Sequence, residues 1–202
     1  VVNDNRGDNI EFVSSTVAAK IGNAKADGTA WGRALYAVKF FQSKGWSKAQ
    51  AAGIVGNLMA ESKMDYTNTS GDSGYAHGIA QWNYRKSPNR HNDFKRIYGH
   101  SISQGSLDEQ LAFVDWELRN TEIAAKKALD KAITPAAAAA AIEDKYERPK
   151  VKGQLIRVQY ANQLYSDNSE STFTKSQAST TSTKKTTSKV TGAFDAYTLG
   201  AF

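Results

Sequence analysis

The segment that most constrains the fold is an apolar helix pattern that ends in a glutamate. Residues 53–68 read GIVGNLMAESKMDYTN, and Glu61 follows Ile54 by seven residues and Leu58 by three. At this spacing the three side chains share one face of a helix. A glutamate on an apolar face is costly unless its carboxyl stays neutral or finds a partner. A carboxyl that keeps its proton near neutral pH is what general-acid catalysis requires, so Glu61 is a candidate catalytic acid.

Turn residues and a short strand-like run follow this helix. Residues 71–82 read GDSGYAHGIAQW, in which Gly, Asp and Ser precede the run from Gly78 to Trp82. Such residues are typical of turns, and the run is short enough for a strand or hairpin. The alternative interpretation is that Glu61 is merely solvated at the end of its helix.

Composition narrows the class of protein. At 202 residues, the chain is long enough for one domain with a core and for extensions. It has no cysteine, which excludes disulfides, thiolate nucleophiles and cysteine-bound zinc. Its three histidines lack HExxH-like spacing, so we expect no metal site and no cofactor. Because no apolar run is long enough, we expect no membrane span.

The net charge of +6 and the pI of about 9.4 favour an anionic partner. Nucleic acid and an anionic bacterial wall are both candidates. The sequence has no helix-turn-helix signature, zinc-finger spacing, RNP motif or concentrated basic helix, so we do not expect nucleic acid.

Three regions are expected along the chain. Residues 1–30 are polar and weakly periodic, which indicates an N-terminal arm or linker. Residues 31–166 are expected to form the compact domain. Residues 167–202 are expected to be a Ser/Thr/Lys-rich linker followed by a C-terminal docking segment, GAFDAYTLGAF. Since the chain begins with valine, we expect a processed product or part of a longer protein.

Helix signals recur through the middle region. They predict helices over 31–44, 89–98, 121–131 and 152–165. Three more helices are predicted from their N-terminal signals: one from Ser47 as N-cap to about residue 64, one from Ser106, and one from Thr134–Pro135. In the helix that begins at Ser106, the residues Leu111, Val114 and Leu118 are expected to face inward. Residues 65–88 are expected to be irregular and strand-like, at the site.

The motifs, taken in order, resemble the phage tail-lysozyme family. They are GIVGNLMAES, GDSGYAHGIAQW, LDEQLAFVDWEL and KYERP, followed by Arg157 and Tyr160–Ala161, and they cover about residues 31–165. The resemblance implies a mainly α (α+β) fold: a lysozyme-like helical domain with a small β-hairpin or irregular strand region at the site and flexible terminal extensions. The family is similar to goose-type lysozymes and soluble lytic transglycosylases.

The resemblance also implies a function and a location. The expected enzyme is associated with the virion, acts in the bacterial cell wall or periplasm, and cleaves peptidoglycan glycan strands as the phage genome enters. The implied partners are bacterial peptidoglycan and other virion proteins. A lytic transglycosylase and a catalytically silent structural virion module are the alternatives.

Site residues are carried over by position in the motifs. Glu61 matches the catalytic acid, kept protonated by apolar surroundings. The expected substrate-binding residues are Ser62 of the Glu-Ser pair, Tyr75 in the turn, Gln81 and Trp82 in the groove strand, and Tyr146 in the ERP-type segment. For Trp82 and Tyr146, core packing is the alternative.

The sequence leaves open which residue supplies the second catalytic carboxylate. Asp72, in the turn after the helix, is the leading candidate for activating water, and Asp65 is the next; the alternative for Asp72 is a role in the turn alone. A carboxylate across the groove with room for water predicts inverting hydrolysis. Without one, either polar groups hold the water or the sugar's own 6-hydroxyl closes a ring, as in a lytic transglycosylase.

Overall fold

Helices make up most of residues 29–167, which are the residues that the computed structural model describes. The N-terminal half contains α1 (Thr29–Ser43), α2 (Lys48–Ser62), the short α3 (Gly71–Gly74), β1 (Ala76–His77) and β2 (Trp82–Asn83). The C-terminal half contains α4 (Pro88–Tyr98), a 3₁₀ turn (Ile102–Gln104), α5 (Leu107–Asn120), α6 (Ile123–Leu129), α7 (Pro135–Ile142), a π-helical turn (Glu143–Glu147) and α8 (Leu155–Ser166).

The expected mainly α fold with a small hairpin is confirmed. The predicted N-terminal arm, apart from residues 29 and 30, lies outside the described residues. So does the predicted linker and docking segment, apart from Asp167.

The predicted helix caps form as expected. The Ser47 and Ser106 hydroxyl groups accept hydrogen bonds from the backbone N–H of Gln50 and Glu109, whose side chains return the bond in two capping boxes. Thr134 Oγ1 likewise accepts from the Ala137 N–H at the start of α7. These local contacts explain why the helix starts could be read from the sequence.

Helix α2 ends two residues earlier than predicted, at Ser62. Lys63 and Met64 adopt left-handed backbone conformations, with φ of 53° and 57°. The carbonyl oxygens that this turn releases accept hydrogen bonds from Arg33, which donates Nε to Met64 and Nη2 to Lys63. An arginine on α1 thereby fixes the point at which the chain leaves α2, next to Glu61.

Helix α2 is buried along most of its length and packs against α1, α7 and α8. Two glycines allow this close packing. A Cβ atom at Gly53 would lie 2.3 Å from the Cβ of Ala138 in α7, and one at Gly56 would lie 2.7 Å from the carbonyl oxygen of Arg157 in α8. Since any side chain would push these helices away, Gly56 permits the approach that brings Arg157 to α2.

The hairpin is antiparallel, with Ala76 paired to Asn83 and His77 paired to Trp82. The chain between its strands is anchored to α5 by Gln110, a buried residue. Gln110 Oε1 accepts from the N–H of Ile79, and its Nε2 donates to the Tyr66 carbonyl oxygen. The hairpin is therefore held rigidly beside the end of α2.

None of the helices in residues 29–167 has the length and apolar character needed to cross a membrane.

Candidate active site

A cleft of about 460 Å³ lies where the end of α2, the hairpin and the chain after the π-helical turn meet. Its volume is within the range of small-molecule binding sites. Three of the predicted site residues line it: Glu61, Asp72 and Gln81. The other lining residues are Ala76, Ala80, Asn83, Lys86, Ser87, Arg90, Glu147, Arg148, Pro149 and Lys150.

Glu61 lies at the cleft, and its side chain is 21% exposed. Ile54 and Leu58, on the same helix face, are buried below it, as the helical spacing predicted. Its Oε1 accepts a 2.6 Å hydrogen bond from Nη2 of Arg157. The expectation that apolar surroundings alone govern this carboxyl is therefore corrected, because a guanidinium is its direct partner.

Arg157 is itself held on several sides. It is buried, and Nη1 donates to Oδ1 of Asn57 at 3.1 Å. Its Nε lies 3.5 Å from a carboxylate oxygen of Glu143. Asn57 in turn donates to the carbonyl oxygens of Gly53 and Ala139. This network fixes the guanidinium and, through it, the orientation of Glu61.

Asp72, in α3, lines the same cleft. Its Oδ2 accepts from Nζ of Lys86 at 2.7 Å and from Nδ2 of Asn83 at 2.5 Å. The hydrogen bond and positive charge of Lys86 hold the pKa of the Asp72 carboxyl below its usual range, with smaller contributions from Asn83 and the charge of Lys150. Asp72 is therefore an ionised carboxylate at neutral pH.

Gln81 lies against Gly71, the residue before Asp72, in a strained backbone conformation with φ of 47°. Its Nε2 donates to the carbonyl oxygen of Gly78. A Cβ atom at Gly71 would lie 1.7 Å from Oε1 of Gln81, so the glycine leaves the space that the carboxamide fills. Gly71 and Gln81 therefore pack together on the cleft wall.

Glu147 also lines the cleft, at the end of the π-helical turn. Its Oε1 is buried and has no hydrogen-bond partner among residues 29–167. Burial, followed by the negative charge of Glu61, raises the pKa of Glu147 to about 8, against the opposing charges of Arg90 and Arg157. Glu147 therefore carries a proton at neutral pH.

Trp82 and Tyr146, predicted to bind substrate, lie in the core and do not line the cleft. Both donate to the same oxygen of Glu117, Trp82 through Nε1 at 3.0 Å and Tyr146 through its hydroxyl at 2.5 Å. Arg90 completes this cluster with two further hydrogen bonds to the Glu117 carboxylate. The two aromatic residues support the cleft from below, and direct sugar contact is not assigned to them.

The remaining predicted residues lie beside the cleft. Ser62 Oγ donates to the carbonyl oxygen of Ile79 at 2.9 Å and so ties α2 to the hairpin. The Tyr75 ring packs edge-on against Tyr84, with the Arg85 guanidinium 3.5 Å from its centroid. The carboxylate of Asp65 accepts from the N–H and hydroxyl of Thr67 in a local turn. None of Ser62, Tyr75 and Asp65 lines the cleft.

Several residues of the site carried no assigned role in the sequence analysis: Asn83, Lys86, Arg90, Glu117, Glu147 and Arg157. Glu117, Glu147 and Arg157 stand in segments that the motifs had already marked. The missing signal was long-range pairing, because Arg157 is 96 positions from Glu61 and Arg90 is 27 positions from Glu117.

The geometry suits acid–base chemistry on a bond bound in the cleft. The cleft is lined by Glu61 with its guanidinium partner and by the ionised Asp72 with its ammonium partner. Within the described residues, no group of three or more potential ligands is arranged to hold a metal ion.

Comparison with known proteins identifies the family. A family model described as phage tail lysozyme matches residues 32–167, which is most of the chain and includes every residue lining the cleft. A comparison with curated proteins finds no match. The chain thus belongs to the phage tail lysozyme family, a group of lysozyme-like peptidoglycan hydrolases.

Proposed function

We propose that this protein cleaves the glycan strand of bacterial peptidoglycan as a muramidase, with Glu61 as the general acid. The observation that carries the proposal is the presence of Glu61 and Asp72 on the walls of one cleft, each held by a cationic partner. Glycosidases commonly use two carboxyl groups that flank the scissile bond.

In the proposed reaction Glu61 donates its proton to the glycosidic oxygen while positive charge develops on the sugar ring. Arg157 stabilises the carboxylate that Glu61 becomes, because its guanidinium is already in place at 2.6 Å. Asp72, ionised and fixed by Lys86 and Asn83, orients the water that adds to the sugar.

Asp72 favours hydrolysis over ring closure. A lytic transglycosylase needs no water and no second carboxylate, whereas this cleft contains an ionised one. The contact with Lys86 lowers the basicity of Asp72, so we assign it mainly the positioning of water.

The rim of the cleft fits an anionic polymer. Lys86, Arg148 and Lys150 line it, and the whole chain carries a net charge of +6. Positive charge around a cleft raises the local concentration of an anionic substrate such as the bacterial wall. Together with family membership, this supports a role in the virion, in which the enzyme opens the wall locally as the genome enters.

Product analysis tests the proposal. The full chain is incubated with purified peptidoglycan, and the released fragments are examined by mass spectrometry. We expect glycan fragments with reducing ends from the native protein and none from Glu61→Gln. Fragments ending in 1,6-anhydro sugars would assign a lytic transglycosylase instead. If the native protein releases no glycan fragments, the domain is a structural virion module and the proposal is wrong.

A further inference from the structure

Glu147 is a cleft carboxyl group to which the mechanism above gives no task. It lines the same cleft as Glu61, yet its Oε1 is buried and receives no hydrogen bond from any residue in 29–167. A buried carboxylate without a donor is strongly unfavourable, whereas a buried carboxylic acid costs much less. The position is therefore suited to a carboxyl group that holds a proton and can deliver it to the cleft.

The cations near Glu147 are already bound to other carboxylates. Arg90 donates Nε and Nη2 to Glu117, and Arg157 donates Nη2 to Glu61. Glu61, Arg90, Arg157 and Glu117 are also the charged groups that act most strongly on Glu147. Two guanidinium groups thus face three carboxyl groups, and ionising all three would leave an uncompensated buried negative charge.

The charged groups on the turn of Glu147 do not relieve this imbalance. Arg148 pairs with Glu122, at the start of α6. Glu143 accepts from the backbone N–H of Gly153 and Gln154 and lies 3.5 Å from Nε of Arg157. Asp144 faces the ammonium groups of Lys145 and Lys152.

Glu61 needs a nearby proton source if it is the general acid. When two carboxyl groups interact, the proton they retain belongs to the pair. Burial and the charge of Glu61 raise the pKa of Glu147 to about 8, which keeps one proton at the pair near neutral pH.

We propose that Glu147 is a positioning residue for the catalytic proton: it shares one proton with Glu61 and returns a proton to Glu61 after each donation. This inference rests on the proposed role of Glu61 as general acid. In the cycle, the Glu61 proton passes to the glycosidic oxygen as the bond from that oxygen to the sugar carbon breaks. The Glu147 proton then moves to the Glu61 carboxylate. Water adds its oxygen to the sugar carbon, and the proton that it releases restores Glu147 through solvent.

The test is the pH dependence of cleavage in the full chain, with soluble peptidoglycan fragments as substrate. In Glu147→Gln we expect the alkaline limb of kcat/KM to move to lower pH by about one unit, which is about a tenfold loss on that limb. Below about pH 5 we expect less than about a threefold change, because protons from solvent then supply Glu61 directly. Glu147→Asp, which keeps a carboxyl group, should recover much of the loss.

Asp144→Asn is the matched control, since it makes the same replacement of a carboxyl group by a carboxamide on the same turn. Asp144 faces lysines, so its removal should leave the alkaline limb in place. If Glu147→Gln also leaves the limb in place while Glu61→Gln is inactive, the proton-sharing proposal is wrong. If Glu61→Gln stays active, the proposed function itself fails.

A second measurement on the native chain does not depend on how the variants fold. With ¹³C-labelled glutamate, we expect one side-chain carboxyl resonance to titrate near pH 8, well above the ordinary range of glutamates. If no glutamate carboxyl titrates above about pH 6, the pair does not retain a proton and the proposal is overturned.

Discussion

At the scale of single residues, the proposed chemistry depends on Glu61, which Arg157 holds through a hydrogen bond. Glu61→Gln keeps the shape of the side chain, and its amide oxygen can still accept from Arg157. An amide cannot give a proton to the leaving sugar, so we expect cleavage to fall by about 10²–10⁴-fold. The initial rate on soluble fragments measures this, and circular dichroism checks that the fold is intact. Near-native turnover in this variant would exclude Glu61 as the acid.

Asp72 offers a second test at this scale. Asparagine tolerates the left-handed backbone that Asp72 adopts, with φ of 46°, so Asp72→Asn should preserve the turn. If the carboxylate orients water, the rate of hydrolysis should fall by at least about tenfold. A loss below about threefold would instead favour the transglycosylase route or water held by other groups. The ratio of reducing to 1,6-anhydro ends distinguishes these two.

Single residues also show how far the sequence predicts the site. Helical spacing placed Glu61 on the same face as Ile54 and Leu58, and the structure agrees. Local pattern does not reveal which polar group a side chain will meet across the fold. Trp82 was therefore expected at the groove, although its indole is bound to Glu117, 35 positions away.

At the scale of elements, Glu117 joins β2, α4, α5 and the π-helical turn beneath the cleft. One buried carboxylate accepts hydrogen bonds from Trp82, Arg90 and Tyr146. In Glu117→Gln the guanidinium of Arg90 would lose its ionic partner in the interior, and one acceptor oxygen would be replaced by a donor. We expect destabilisation of about 3–5 kcal/mol, measured by urea unfolding.

An exposed ion pair provides the control for this change. Lys126 and Asp130 pair within the region of α6, and both side chains are substantially exposed. Asp130→Asn should therefore change the free energy of unfolding by less than about 1 kcal/mol. Comparable losses in the Glu117 and Asp130 variants would contradict the role of Glu117 as the support of the site.

The elements themselves were largely predictable because their signals are local. Ser47, Ser106 and Thr134 cap helices within three residues of their own position. The start of α8 was placed too early, because Gly153 has a φ of 71° and its N–H is bound by Glu143, ten positions before. Helix starts set by contacts between elements are not visible in a local pattern.

At the scale of the whole molecule, Glu147 links stability to pH. Its pKa is about 8 in the folded protein against 4.5 for an unperturbed glutamate, so between these two pH values the folded state binds the extra proton. Stability therefore falls as pH rises through this window, by at most about 1.4 kcal/mol per pH unit. Glu147→Gln lacks this proton, so its free energy of unfolding should rise relative to that of the native protein as pH rises. This difference between the two proteins should stop growing above the pKa of Glu147 in the folded protein. Urea unfolding at several pH values measures the difference, and parallel curves for both proteins would contradict the buried neutral carboxyl.

The boundary of the folded unit is a further property of the whole molecule. We propose residues 31–166 as the catalytic domain, and the structure adds a contact made by the next residue, Asp167. The Trp31 indole at the start of α1 donates to the carboxylate of Asp167, just past α8, at 2.9 Å. This contact joins the two ends of the domain.

A comparison of two shortened chains, one with Asp167 and one without it, tests this boundary. A chain ending at Ser169 keeps Asp167 and loses most of the Ser/Thr/Lys-rich segment, which has too few apolar residues to bury. We expect it to retain full activity on soluble fragments and an unchanged Tm. A chain ending at Ser166 leaves the Trp31 indole without that acceptor, which should cost about 1 kcal/mol and lower the Tm by roughly 2–6 °C. If the chain ending at Ser169 unfolds, the tail packs on the core and the boundary is wrong. If that chain loses activity only on intact walls, the tail binds the wall instead of docking on another virion protein.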